Sequence, residues 1–443
     1  MDLPKSVSEL MDALEDRGFQ TWAVGGCVRD DCLGIPPHDF DLCTAALPEQ
    51  TQQIFSRKRL VLAGLKHGTV GVVTEYGVVE ITTFRTEGDY TDSRHPGWVR
   101  FVPDVDEDLA RRDFTVNAMA YSPRRGYRDP FGGLADLKNH VLRAVGDPVR
   151  RFREDALRIL RGARFAARFD LKIEENTWNA MLSELSGVDS LARERVMEEL
   201  TKLICLANAG ELAAFAPIIT RVIPELEESV GLDQRSPHHA YDVYTHTAHV
   251  TAAVPAEPAL RFAALLHDVG KPRSMTLDEN GRGHFKGHAQ LGAQMANEIL
   301  HRLKAPNALR EEAVWLIEHH MSKYPPEEKS VRRALSKHGL PRMERLICLQ
   351  KADFGGKGVI SGEDTLEQLD RLQSMLEEFA AREGEMNLKR LAVKGGDLIS
   401  IGVPTGRQMG KILNDLLQMV LSGELPNDRD ALLTQAEKWI YTP

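Results

Sequence analysis

Strand-forming signals are confined to the start of this chain, and that asymmetry limits the possible folds more than any other feature. Runs of β-branched or aromatic residues at Thr21 to Val24, Gly68 to Thr74, Val78 to Phe84 and Val99 to Val102 are punctuated by glycines, as short strands are. An amphipathic helical pattern precedes Gly18. After Gly146-Asp147-Pro148 the spacing becomes helical. It predicts helices over Arg150 to Phe169, Leu191 to Leu206, Ala259 to His267, His288 to Leu303, Leu309 to His320, Ser330 to Ala352 and Asp364 to Ala381. The expected class is α+β, a small head with a mixed sheet followed by all-α segments. Polar or Gly/Pro interruptions near Gly146, Gly231 to Pro237 and Glu383 to Met386 mark seams. The seams near Gly146 and Glu383 bound an expected head at 1–145 and tail at 383–443, with a neck at 146–205 and a body at 206–382 expected between them.

Composition excludes several classes. At 42% hydrophobic and 27% charged over 443 residues, the chain is ordinary globular material rather than a disordered one. No uncharged apolar run reaches the length of a membrane-spanning helix, and MDLPKSVSEL does not read as a secretory signal. The five cysteines, Cys27, Cys32, Cys43, Cys205 and Cys348, form no CxxC pair, which fits a reducing cytoplasm. A net charge of −9 excludes a globally basic nucleic-acid binder but not a local basic surface.

Two constellations carry chemistry. In the first, Gly25-Gly26 follows a strand and opens a helix, letting backbone N–H groups approach a phosphate while Arg29 adds charge. Asp39-Phe40-Asp41 follows in a short strand-like run, where a period of two aims both carboxylates to one face. Two carboxylates held so close are expected to share a divalent metal, Mg²⁺, with Glu80 on another strand as the third. Such a site activates a hydroxyl and neutralises a triphosphate.

The compound pattern Gly25-Gly26-x-Val28-Arg29-Asp30-x-x-Leu33-Gly34 followed by Asp39-Phe40-Asp41 resembles the active-site signature of class II nucleotidyltransferases of the DNA polymerase β superfamily. Within it, the resemblance is to bacterial CCA-adding tRNA nucleotidyltransferases and poly(A) polymerases. Arg111-Arg112-Asp113-Phe114-Thr115-Val116-Asn117-Ala118 is similar to the family element associated with ribose and nucleotide contacts. Asp89 to Pro96 is similar to its flexible loop, Glu154-Asp155-Ala156-Leu157-Arg158 to its nucleotide-selecting motif, and Arg193 to Leu200 to the neck element after it. The resemblance implies a polymerase-β-like head, CTP, ATP and tRNA as partners, and nucleotide contacts at Gly25, Gly26, Arg29, Arg111, Arg112, Asp113, Asn117, Asp155, Arg158, Arg161 and Arg164.

Residue chemistry agrees with that assignment. On one helical face, an acceptor-only Asp155 and a donor-only Arg158 could satisfy the Watson–Crick edge of cytosine and, reoriented, that of adenine. Arg158, Arg161, Arg164 and Arg168 are expected to form one helical stripe almost unrelieved by acid, facing RNA backbone or triphosphate.

The second constellation lies in the helical part. His246, the adjacent His267-Asp268 pair at the end of an apolar helix, and Asp353 resemble the HD phosphohydrolase superfamily, whose helical bundle holds a divalent metal. Imidazole with carboxylate suits Mn, Fe, Ni or Mg. The intervening histidines, His284/His288 and His319/His320, are candidates for a second ion, which would make phosphoester hydrolysis the natural chemistry. In the tail, glycine turns around Lys394-Gly395-Gly396 and Gly402 to Gly406 are expected to touch tRNA backbone. Two alternatives stay open: poly(A) or partial CC or A addition within the same family, and an HD phosphohydrolase whose N-terminal half only binds RNA. Oligomeric state is not readable.

Overall fold

The computed structural model describes the chain except at residues 88–98, 238, 359–362, 384–387, 389, 422 and 442–443. The flexible-loop resemblance at Asp89 to Pro96 therefore lies outside the described residues. Met1–Glu227 with Arg302–Ala305 forms one compact unit, and Glu228–His301 with Pro306–Pro443 forms the other.

In the first unit, α1 (Lys5–Glu15) buries Val7, Leu10, Met11 and Leu14, the i, i+3, i+4, i+7 stripe of an amphipathic helix. Then come β1 (Thr21–Val24), α2 (Gly26–Cys32), β2 (Asp41–Thr44), α3 (Pro48–Ile54), β3 (Leu60–Val61), β4 (Thr69–Thr74) and β5 (Gly77–Thr83). A separate antiparallel ribbon pairs β6 (Arg85–Glu87) with β7 (Val99–Phe101). After α4 (Val105–Ala110), β8 (Ala120–Ser122) and β9 (Gly126–Arg128) complete a seven-stranded sheet in the order β3-β4-β5-β2-β1-β8-β9. Its β2–β5 pair is parallel and the rest are antiparallel, so the sheet is mixed as expected. Trp22, Val24, Cys43, Phe84, Leu109 and Ala120 pack in its core.

One expectation fails at β2. The strand begins at Asp41, and Asp39 lies in the preceding segment. Pro36 and Pro37 supply no ladder N–H, and Phe40 is buried with its ring edge-on to Tyr76 at 5.5 Å. The chain joins the sheet only after that anchor.

Helices α5 (Gly133–Lys138), α6 (Pro148–Glu154), α7 (Leu157–Phe169), α8 (Glu175–Ser183), α9 (Arg193–Leu206), α10 (Ala209–Ala214) and α11 (Ala216–Val222) complete the unit. The single helix expected over Arg150 to Phe169 is two. Asp155 is extended, at φ −148° and ψ 102°, and its Oδ1 accepts from Leu157 N at 3.0 Å. A carboxylate that captures the N–H two residues on competes with helix propagation and starts a new one.

The second unit holds α12 (Val243–Ala253), α13 (Pro258–Leu266), α14 (Lys271–Ser274), α15 (His288–Arg302), α16 (Asn307–His319), α17 (Glu328–His338), α18 (Leu340–Gly355) and α19 (Glu363–Glu383). The expected helix from Ser330 to Ala352 also divides. Gly339 adopts φ 76° and Pro341 follows in the first turn of α18, a stop-and-restart signal. Helices α20 (Gly395–Ser400), α21 (Arg407–Leu421) and α22 (Arg429–Tyr441) share a core of Leu391, Val393, Leu398, Leu416 and Leu432. At Lys394 the turn is filled internally: its N–H donates to Asp397, which pairs with Arg429 at 2.7 Å. Among the described residues, no helix is long and apolar enough to cross a membrane.

Candidate active site and metal centre

The first site is assembled where β1, β2 and β5 meet the helices that follow them. Gly25 ends β1 with φ 72°, and a Cβ there would lie 2.7 Å from Arg112 Nη1. Only glycine suits both the left-handed backbone and that close approach. Asp41 opens β2, directly in register with Glu80 on parallel β5 and with Val24 on β1. Asp39, Asp41 and Glu80 are all exposed. Solvent withdrawn by the cleft walls, then Glu80 and Asp39, push the Asp41 carboxyl above its usual range, against Arg112. Crowded like charges with hard oxygen donors fit a bound hard cation such as Mg²⁺.

A cleft of about 460 Å³ opens beside Asp41. It is lined by Gly25, Gly26, Arg29, Arg111, Arg112, Asp113, Asn117, Asp155, Arg158 and Arg161, joined by Phe165 and Arg195. Every residue of the expected nucleotide-contacting set is there except Arg164. Arg164 is buried and donates to Glu199 at 2.6 Å, fastening α7 to α9.

The arginines are not a stripe free of acid. Arg158 donates to Glu154 at 3.0 Å and to the Arg111 carbonyl at 3.0 Å, and Arg161 grips Asp113 at 2.7 and 2.9 Å. Burial alone would raise the Asp113 pKa, but Arg161 and Asn117 hold it at about 2. Arg29 is buried, donating to Asn117 Oδ1 at 2.5 Å and to Asp30, with its guanidinium 4.3 Å from the Phe169 ring centroid. Asp155 and Arg158 line one cavity but do not share a helical face. Asp155 Oδ2 accepts from Arg195 at 3.0 Å. The guanidinium groups are thus locked in direction before any ligand arrives, with their remaining donors turned to the cleft.

The second site collects His246 from α12, His267 and Asp268 after α13, His288 at the start of α15, His320 after α16, and Asp353 from α18. His246 Nε2 lies 3.1 Å from Asp353 Oδ1 and 3.6 Å from Asp268 Oδ2. His267 Nε2 lies 3.1 Å from Asp268 Oδ2, and His288 Nε2 lies 3.5 Å from Asp268 Oδ1 and 3.1 Å from His320 Nε2. In all four histidines Nδ1 faces a backbone carbonyl, of Gly356, Ala264, Phe285 and Ile317 respectively, at 2.6 to 3.0 Å. Donation from Nδ1–H leaves the Nε2 atoms of His246, His267 and His288 facing the carboxylates and that of His320 facing His288, the orientation of a metal ligand. His267 Nε2 is buried without a hydrogen bond, and such an orphaned atom calls for a further partner. Burial pushes His320 down to about 4 and lowers His288 as well, keeping both rings neutral as ligands must be.

Two residue groups, His246-His267-Asp268 and Asp268-His288-His320, have ligand atoms close enough to hold an ion, sharing Asp268. His319 is not among them: its ring stacks on Trp315 at 4.4 Å and Nδ1 faces the Trp315 carbonyl. His284 pairs with Asp278 at 3.1 Å on the exposed rim.

Residues 21–143 match the Poly A polymerase head domain family, and residues 238–353 match the HD domain family. The CCA-adding enzyme of Streptococcus thermophilus is 34% identical over 430 residues, covering 96% of this chain and 94% of its own. That of Limosilactobacillus fermentum is 34% identical over 433 residues, covering 96% and 95%. The chain belongs to the CCA-adding enzyme family. A CCA-adding enzyme of Bacillus stearothermophilus, solved in complex with CTP, superposes with a TM-score of 0.71 at 28% identity, covering 99% of this chain and 98% of its own.

Three features of the two sites of this CCA-adding enzyme relative escaped sequence reading. Arg195 was visible only as part of a neck element, and its pairing with Asp155 spans 40 positions. Phe165 and Phe169 stack at 6.1 Å and carry the guanidinium groups of Arg29, Arg164 and Arg168. The Lys271 ammonium is buried 2.7 Å from Asp268 Oδ2 and 2.8 Å from Gln234 Oε1.

Proposed function

We propose that this chain adds CCA to the 3′ end of tRNA from CTP and ATP without a nucleic-acid template. The observation that carries the reading is one cleft gathering a glycine turn, the Asp41 carboxylate and a set of pre-oriented arginines. Asp39, Asp41 and Glu80 hold Mg²⁺, which when bound neutralises the triphosphate and makes the tRNA 3′-hydroxyl a better nucleophile. Gly25 and Gly26 allow the triphosphate to approach the backbone, and Arg111 and Arg112 add positive charge. Asp155 and Arg158 read the base edge, Arg195 setting the direction of Asp155. The hydroxyl attacks the α-phosphate in line, and pyrophosphate leaves.

In the same reading His246, His267, Asp268 and Asp353 hold a divalent ion, with His288 and His320 available to a second. A metal there supplies an activated water for phosphoester hydrolysis. The four-part division into head, neck, body and tail is retained, the tail contacting tRNA. A tRNA substrate and free cysteines support a cytoplasmic location.

The test supplies tRNAs ending before, within and after CCA, with CTP alone, ATP alone or both. Completion of CCA followed by arrest is the expected result. Addition of C only or A only would assign a partial enzyme, and long A tracts on any RNA a poly(A) polymerase.

A further inference from the structure

Outside both sites, the start of α17 carries a groove of about 310 Å³ with a composition unlike the rest of this acidic chain. Lys329, Arg333 and Lys337 line it, all exposed and spaced i, i+4, i+8 along one face of α17. That spacing sets the charges about 6 Å apart, close to the separation of successive phosphates on an extended nucleic-acid strand. Glu327 is the one acid in the lining. Among the described residues none of the three cations makes an ion pair, whereas Arg332 on the neighbouring face pairs with Glu328 at 2.9 Å.

The same groove is lined by rings. Tyr324 lies edge-on to His338 at 6.3 Å, and His338 packs on Trp315 at 4.9 Å and on His319 at 5.6 Å. Burial, then Lys337, His319 and Arg342, lower the His338 pKa, so the ring stays neutral. Tyr324 lines this groove, while Met321, three residues earlier, lines the pocket of the histidine–aspartate site.

We infer that this groove binds single-stranded RNA, its cationic row on successive phosphates and the Tyr324 ring, braced edge-on by His338, stacking on a base. A row of unpaired cations beside aromatic faces is the combination by which proteins hold single strands without reading sequence. The inference rests on the reading of RNA as substrate.

The experiment uses the full-length protein and a fluorescein-labelled single-stranded RNA of about twelve nucleotides, with anisotropy titrations over a range of KCl. Replacing three phosphate-contacting cations (Lys329→Gln, Arg333→Gln, Lys337→Gln) should weaken binding about tenfold. The slope of log K against log salt should fall by about 2, at roughly 0.7 per phosphate. Tyr324→Ala should weaken binding at least about fivefold and abolish photo-cross-linking of an iodouridine-bearing RNA to the peptide containing residue 324. Thermal melting of each variant controls for folding. Unchanged affinity and salt slope in the folded triple variant would overturn the inference, leaving an ordinary solvated helix face. Nucleotide addition to tRNA by the same preparations reports the enzyme reading separately. Addition intact with no RNA bound at Tyr324 counts against the groove alone, and no addition by wild type counts against the reading on which it rests.

Discussion

Replacing Asp113 by Asn tests whether the cleft arginines are pre-oriented by buried charge. The amide keeps the shape of the side chain and, with its oxygen at the Oδ1 position, an acceptor for Phe114 N and Asn117, but it sets an NH2 donor where Oδ2 accepts twice from Arg161, so the change removes the charge and both Arg161 hydrogen bonds. A carboxyl whose pKa moves from 3.8 to about 2 on folding contributes about 2.5 kcal/mol at neutral pH. An exposed ion pair would give at most about 1 kcal/mol, and stranding one member of a fully buried pair costs about 3 to 5 kcal/mol. The intermediate figure is reasonable, because the Asp113 side chain is 8% exposed and that of Arg161 34%. The folded pKa is the depressed one, so this stability is fully present above the unfolded value and is lost as pH falls through the folded value. The gap between wild type and Asp113→Asn should therefore be about 2 kcal/mol near pH 7 and close between about pH 4 and pH 2. Urea unfolding of both proteins across that range measures it. An unchanged urea midpoint near neutrality, or a gap that does not narrow in acid, would refute the reasoning.

Four further outcomes follow from the same geometry. Gly25→Ala forces a side chain onto a left-handed backbone and against Arg112, so KM for CTP and ATP should rise together in steady-state assays. Arg164→Ala or Glu199→Ala strands a buried charge and should cost about 3 kcal/mol or more in urea unfolding, whereas Arg164→Met with Glu199→Leu should recover most of it. Asp268→Ala should abolish phosphoester hydrolysis, assayed with Mg²⁺, Mn²⁺, Ni²⁺ or Co²⁺, while nucleotide addition continues on its own carboxylates. His320→Ala should lower the bound metal measured by elemental analysis, and His319→Ala should leave it unchanged.

How much of this was readable in the sequence depends on the range of the interaction. The strands around Gly25 and Asp41 and most helices were visible because periodicity and glycine punctuation are local properties. The partnership of Asp41 with Glu80 needed only two strands, and parallel pairing of β2 with β5 brought them into register. The break at Asp155 was hidden because Arg150 to Phe169 satisfies helical spacing throughout; a side-chain capping bond at Asp155 decides against it. The arginine stripe misled for a different reason. Glu154, four positions before Arg158, was within reach of spacing, but the acids of Arg161 and Arg164 are Asp113 and Glu199, 48 and 35 positions away, and no spacing rule reaches that far. Adjacent histidines were equally indistinguishable, since only the end of α16 sends His320 into the cluster and His319 onto Trp315.

The central claim is that one carboxylate centre on the paired strands β2 and β5 in the middle of the mixed sheet serves both nucleotides. The direct measurement is single-turnover addition by Asp41→Ala, with a tRNA lacking CCA supplied with CTP and a tRNA ending in CC supplied with ATP. Both additions should vanish while tRNA binding and the melting temperature stay at wild-type values. Loss of C addition with A addition intact, or the reverse, would show two catalytic centres and contradict the account.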